Sequence, residues 1–151
     1  IEKLALDGNP HAIEFPVAKL DAPYEFSFSG LKSAVINYLH NQEQAKREIN
    51  RADVAASFQY AVTNALVQKA VRAMKDTGLE KIVLAGGVSA NKTLQTTLAK
   101  AMSDIGAELV APMPILCTDN AVMIACRGYF MYQAGMESPL DLNAVPSLKL
   151  G

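Results

Sequence analysis

From Asp53 to Lys75, apolar residues return every three or four positions. Val54, Phe58, Ala61, Val62, Ala65 and Leu66 form one stripe, which predicts an amphipathic helix. Asp53 at its start and Lys75 at its end suit the helix dipole, and Gly78 supplies the stop. The same spacing recurs from Ala90 to Ile105, where Leu94, Leu98, Met102 and Ile105 share a face before Gly106. Leu31, Val35 and Leu39 predict a further helix from Leu31 to His40. From Asp119 to Tyr132 the pattern changes, because Ala121 to Cys126 is apolar on every side. That predicts a buried helix, ended by Gly135. The opening IEKLALDG reads as helix closed by a glycine.

Strand signals are short. Lys81 to Ala85 is a β-branched apolar run and predicts a buried strand; Glu108 to Val110 predicts a second. Phe26 and Phe28 alternate with serines, which predicts a third strand ending at Ser29-Gly30. Pro10, Pro16 and Pro23 mark extended loop, and Pro112 and Pro114 break the chain again. The order strand, Gly-rich turn, helix, strand, loop, helix predicts an α/β fold with parallel strands. Two or three strands among several long helices make a small, incomplete sheet. With a first residue that is not Met, this reads as one domain over 1–151 that is a fragment of something longer.

The chain has 151 residues, half of them apolar, which is enough for a core. Its net charge of −1 argues against an autonomous RNA binder, since phosphate contacts call for a basic surplus. One half of a composite RNA surface stays open. The two cysteines, Cys117 and Cys126, match no zinc spacing and read as reduced thiols. No apolar run reaches membrane-spanning length and no export signal is visible, so a cytoplasmic protein is expected.

Three stretches could carry chemistry. Gly86-Gly87-Val88-Ser89-Ala90-Asn91 joins a strand end to a helix start. Paired glycines let backbone approach a ligand, the helix start offers N–H donors, and Asn91 has both a donor and an acceptor. The same residues also suit a plain tight turn with Ser89 as N-cap. No Walker loop or dinucleotide fingerprint is present. Cys117-Thr118-Asp119-Asn120 also precedes a helix; Asp119 suits a metal or a cation, and equally a cap by Thr118 or Asp119. Phe26 to Lys32 offers Ser29-Gly30 as a turn and Lys32 as a phosphate partner, or simply an exposed lysine. His11 and His40 form no metal pair.

Together, FSFSGLKSAV at 26–35, IVLAGGVSANKTL at 82–94 and CTDNAVMIA at 117–125 strongly resemble the TsaD family, with AASFQYAV at 55–62 in support. Members transfer threonylcarbamoyl to tRNA and were once described as O-sialoglycoprotein endopeptidases. The resemblance implies part of the second lobe of an actin-like ATPase fold, with the N-terminal lobe and its His-x-x-x-His metal pair absent. It implies Asp119 as the third protein ligand to an iron or zinc ion, Asn91 as a contact to the adenylate, and Gly86 and Gly87 as the place where backbone meets the nucleotide. It implies threonylcarbamoyl-AMP, tRNA and companion subunits as partners, and no turnover by this chain alone. The family's Gly-Ala after CTDN is here Ala121-Val122, a small apolar change beside Asp119. A non-catalytic partner or scaffold subunit is the rival reading. A metallopeptidase is disfavoured, since no His-Glu-x-x-His occurs. An open sheet edge invites pairing with a second copy, so a homodimer is a candidate assembly.

Overall fold

The protein is described by a computed structural model covering residues 1–18 and 20–147. Its elements run α1 (Glu2–Ala5), α2 (Ser29–Gln44), α3 (Arg51–Thr77), β1 (Lys81–Val83), a 3-10 turn (Gly87–Ala90), α4 (Lys92–Asp104), β2 (Glu108–Val110), a second 3-10 turn (Pro114–Leu116) and α5 (Ala121–Gln133). They divide into two units, Ile1–Cys117 and Thr118–Gly151.

In the first unit, α3 is the long helix on which the rest assembles. The Asn50 side chain caps it by accepting from the N–H groups of Ala52 and Asp53. Asp53 stands in its first turn, Lys75 in its last, and Gly78 closes it at φ 68°. Its stripe splits between two cores. Toward the N-terminus, Val54 and Ala61 pack with Leu31 of α2 and Phe15 of the preceding loop. Toward the C-terminus, Val67 and Met74 meet Leu94, Leu98 and Met102 of α4, with Ile82 and Leu109 of the strands against them. Met102 is fully buried. Ala5 of α1 packs on Ala55 and Ala56 through small side chains.

β1 and β2 pair in parallel, Lys81 opposite Glu108, Ile82 opposite Leu109 and Val83 opposite Val110, with α4 as the crossover. Lys81 Nζ lies 2.7 Å from Glu108 Oε2. The hydrogen bond to that carboxylate raises the Lys81 pKa above its ordinary value. The predicted burial of β1 is not met: Ile82 is half-buried and Val83 is 70% exposed. A two-stranded sheet has no inner strand, so each strand keeps an open edge.

The predicted strand at Phe26 to Ser29 is also not formed. Residues 25–28 are irregular and Ser29 already begins α2, which runs on to Gln44. Neither β1 nor β2 takes the segment as a partner. Instead side chains of α3 hold it: Tyr24 donates its hydroxyl to Asp76 Oδ2 at 2.9 Å, and Lys69 Nζ donates to the Glu25 carbonyl. The hydrogen bond to the Asp76 carboxylate raises the Tyr24 pKa above its ordinary value. The Phe26 and Phe28 rings lie nearly parallel, 6.1 Å apart.

In the second unit, Asn120 caps α5, accepting from the Met123 N–H at 3.1 Å. Burial was predicted for Ala121 to Cys126, yet all six residues are exposed. A helix apolar on every face needs a partner surface on every face. The described residues of this unit supply only the helix and an irregular tail.

Candidate functional site

The turn after β1 leaves its backbone open to solvent. The Leu84 N–H still bonds the Val110 carbonyl at 2.9 Å, continuing the ladder one residue past the strand. The chain then leaves the sheet through Gly86, at φ 90° and ψ 170°, a region essentially reserved for glycine. A Cβ built on Gly86 or Gly87 meets no atom within 4 Å, so both glycines face open space. The Ser89 N–H returns to the Gly86 carbonyl at 2.9 Å and closes the turn. Among the described residues, the N–H groups of Gly87 and Val88 have no acceptor. Both residues are exposed, so the turn presents two adjacent backbone donors to solvent.

Asn91, not Ser89, caps α4. Its Oδ1 accepts from the Leu94 N–H at 2.9 Å, and its Nδ2 donates to Gln59 Oε1 at 3.0 Å. Gln59 Nε2 in turn donates to Thr93 Oγ1 at 3.0 Å. The Lys92 N–H donates to Glu2 Oε1 at 2.8 Å. The first turn of α4 is thus largely claimed by the protein's own oxygens, and the free donors lie one step earlier, at Gly87 and Val88. Ser89 is wholly buried, its Oγ without a partner among the described residues. Gln95 Nε2 holds the Ser89 carbonyl at 2.6 Å. Beside Asn91, Phe28, Phe58, Val62, Leu66, Val88 and Leu94 wall an apolar cavity of about 460 Å³.

Asp119 is exposed and stands just before the cap of α5. The expected cap by Thr118 or Asp119 is made by Asn120, whose Nδ2 also donates to the Thr118 carbonyl at 2.8 Å. Among the described residues the Asp119 carboxylate has no hydrogen-bond or ion-pair partner. An unengaged carboxylate is a suitable hard-oxygen ligand. Among the described residues no three His, Cys, Asp or Glu side chains come together to hold a metal ion. Cys117 is buried, Cys126 is exposed, and both are free thiols. Lys32 is exposed on α2, and Ser29 is its first residue.

Sequence reasoning missed Gln59, Thr93 and Glu2. Gln59 left one sign: it lies four residues from both Ala55 and Thr63, which are buried. It therefore puts an amide at the edge of an apolar stripe, where a partner is required.

A family profile, "TsaD: tRNA N6-adenosine threonylcarbamoyltransferase", matches residues 1–126. A Symbiobacterium thermophilum protein of that description is 48% identical over 151 residues, covering 100% of this chain and 44% of its own length. Proteins so named from Clostridium botulinum (strain 657 / Type Ba4) and Clostridium kluyveri (strain ATCC 8527) are 50% and 49% identical, each over 100% of this chain and 45% of its own length. The chain therefore spans less than half the length of these curated relatives.

Proposed function

The chain belongs to the TsaD family, and we propose that it is the C-terminal part of a protein that transfers threonylcarbamoyl from threonylcarbamoyl-AMP to N6 of an anticodon-loop adenosine in tRNA. The observation that carries this reading is the Gly86-Gly87 turn: open space over both glycines, two unspent N–H donors, and Asn91 three residues beyond Val88. In an actin-like second lobe this turn would receive the adenylate. The N–H groups of Gly87 and Val88 donate to its phosphate, and Asn91 holds a neighbouring polar atom. Asp119 would supply one carboxylate to an iron or zinc ion, whose remaining ligands would come from outside this chain. Such an ion, when bound, supplies positive charge that orients and polarises the threonylcarbamoyl group. The adenosine N6 attacks the threonylcarbamoyl carbonyl carbon, the C–O bond to phosphate breaks, AMP leaves and N6 gives up a proton.

With a net charge of −1 this chain has no basic surplus for phosphate contacts, so the basic groups of an RNA surface would come from the rest of the protein or from companion subunits. The open sheet edges would also accept a second copy. No helix among the described residues is long and apolar enough to cross a membrane; a cytoplasmic location is part of the proposal.

The test uses the intact protein with tRNA and threonylcarbamoyl-AMP. We expect transfer, and expect Asp119→Ala to abolish it with an unchanged melting midpoint. Full activity in that variant removes the metal role. An intact protein that binds companion subunits but transfers nothing replaces this reading with the scaffold one. Residues 1–151 alone are expected to show no turnover.

A further inference from the structure

We infer that Gln59 of α3 is a positioning residue for the adenylate site: it holds the Nδ2 end of the Asn91 amide, whose Oδ1 end the Leu94 N–H already fixes. The inference rests on the proposed role of Asn91 and adds a residue to it.

The argument follows hydrogen-bond direction. An asparagine amide can stand in two orientations, related by a flip that exchanges donor and acceptor. The Leu94 N–H can only donate, so Oδ1 must face it, at 2.9 Å. Nδ2 then faces α3, where Gln59 Oε1 accepts at 3.0 Å. With its oxygen turned to Asn91, Gln59 turns its own Nε2 to Thr93 Oγ1, also at 3.0 Å. The chain of donors runs one way, from the Leu94 N–H through Asn91 and Gln59 to Thr93. Gln59 and Asn91 are half-buried, so a missing partner would not be fully replaced by water.

Two consequences follow. The clamp ties α3 to the first turn of α4, next to Val88 and its free N–H. It also leaves Asn91 with one unspent N–H, which suits an acceptor atom of the ligand such as a ribose or carbonyl oxygen. Without Gln59, Oδ1 still caps α4, but nothing on α3 holds Nδ2.

The experiment measures steady-state transfer by the intact protein. Gln59→Met keeps length and removes both polar ends. We expect it to raise KM for threonylcarbamoyl-AMP about tenfold, the loss of one oriented hydrogen bond, with kcat and KM for tRNA within about twofold. Thr93→Val, which removes only the acceptor for Gln59, should raise the same KM about two- to fivefold. Asn91→Ser retains a capping oxygen but has no amide. In that background Gln59→Met should change KM no further, because the group it positions is gone. An equal rise with and without the Asn91 amide shows a merely structural role and overturns the inference. So does an unchanged KM in Gln59→Met. If Asn91→Ser itself leaves KM unchanged, the adenylate role of Asn91 falls first, and the two failures are told apart. The single variants should melt together; a Gln59→Met protein that unfolds early while Thr93→Val keeps the wild-type KM also overturns it.

Discussion

Replacing Gly86 with alanine adds a methyl group that meets no heavy atom within 4 Å. Packing therefore gives no reason for the glycine. The backbone does, since φ of 90° with ψ of 170° strains any residue with a Cβ. Gly87 has the same open space but no positive φ. Gly86→Ala is thus expected to destabilise the fold by about 1–3 kcal/mol, and Gly87→Ala to stay within about 0.5 kcal/mol. Denaturant unfolding of the two variants checks this, and equal losses would show that the strain has been misplaced. If the turn also receives an adenylate, Gly87→Ala should weaken binding while leaving stability alone. Local chemistry of this kind was partly legible in the sequence. Asp53, Lys75 and Gly78 act where their residue types suggested, because helix ends depend on the nearest few residues. The α4 cap was misread: Ser89 precedes the apolar stripe as a cap should, but the 3-10 turn over Gly87–Ala90 moves the helix start to Asn91. Which capping residue acts depends on how many residues the turn consumes. The adjacent pair of glycines does not state that number.

Among elements, periodicity was a good guide where a helix has one apolar face. The α4 residues Leu94, Leu98 and Met102 all pack into the α3 core, as their spacing predicts. It failed where the partner surface had to be assumed. Phe26 to Ser29 alternates like a strand, but strand form requires a neighbour, and β1 and β2 pair only with each other. α5 is apolar all round, and composition cannot say whether a cover is present. The contrast makes a prediction. Met102, with no exposed surface, should cost about 2–5 kcal/mol when cut to alanine. Ile124, 71% exposed on α5, should cost less than about 0.5 kcal/mol. Chemical denaturation of residues 1–151 measures both. A large loss at Ile124 would mean that α5 is covered in solution, by the rest of the chain or by a second copy.

For the molecule as a whole, the α/β order, the parallel pairing and the small sheet were all present in the sequence. The division into Ile1–Cys117 and Thr118–Gly151 was not, because no linker composition marks it. Its physical basis is the distribution of the core. Every buried side chain among the described residues lies between Ala5 and Cys117. All three apolar clusters around α3 are complete within that span. Cooperative unfolding reports apolar surface taken out of water, so residues 118–151 should contribute little to it. A chain ending at Cys117 is therefore expected to melt within a few degrees of the 151-residue chain, with a nearly equal enthalpy per molecule. Calorimetry of the two proteins decides the matter. A large drop in midpoint would show that residues 118–151 take part in the cooperative unfolding and overturn this reading of the core.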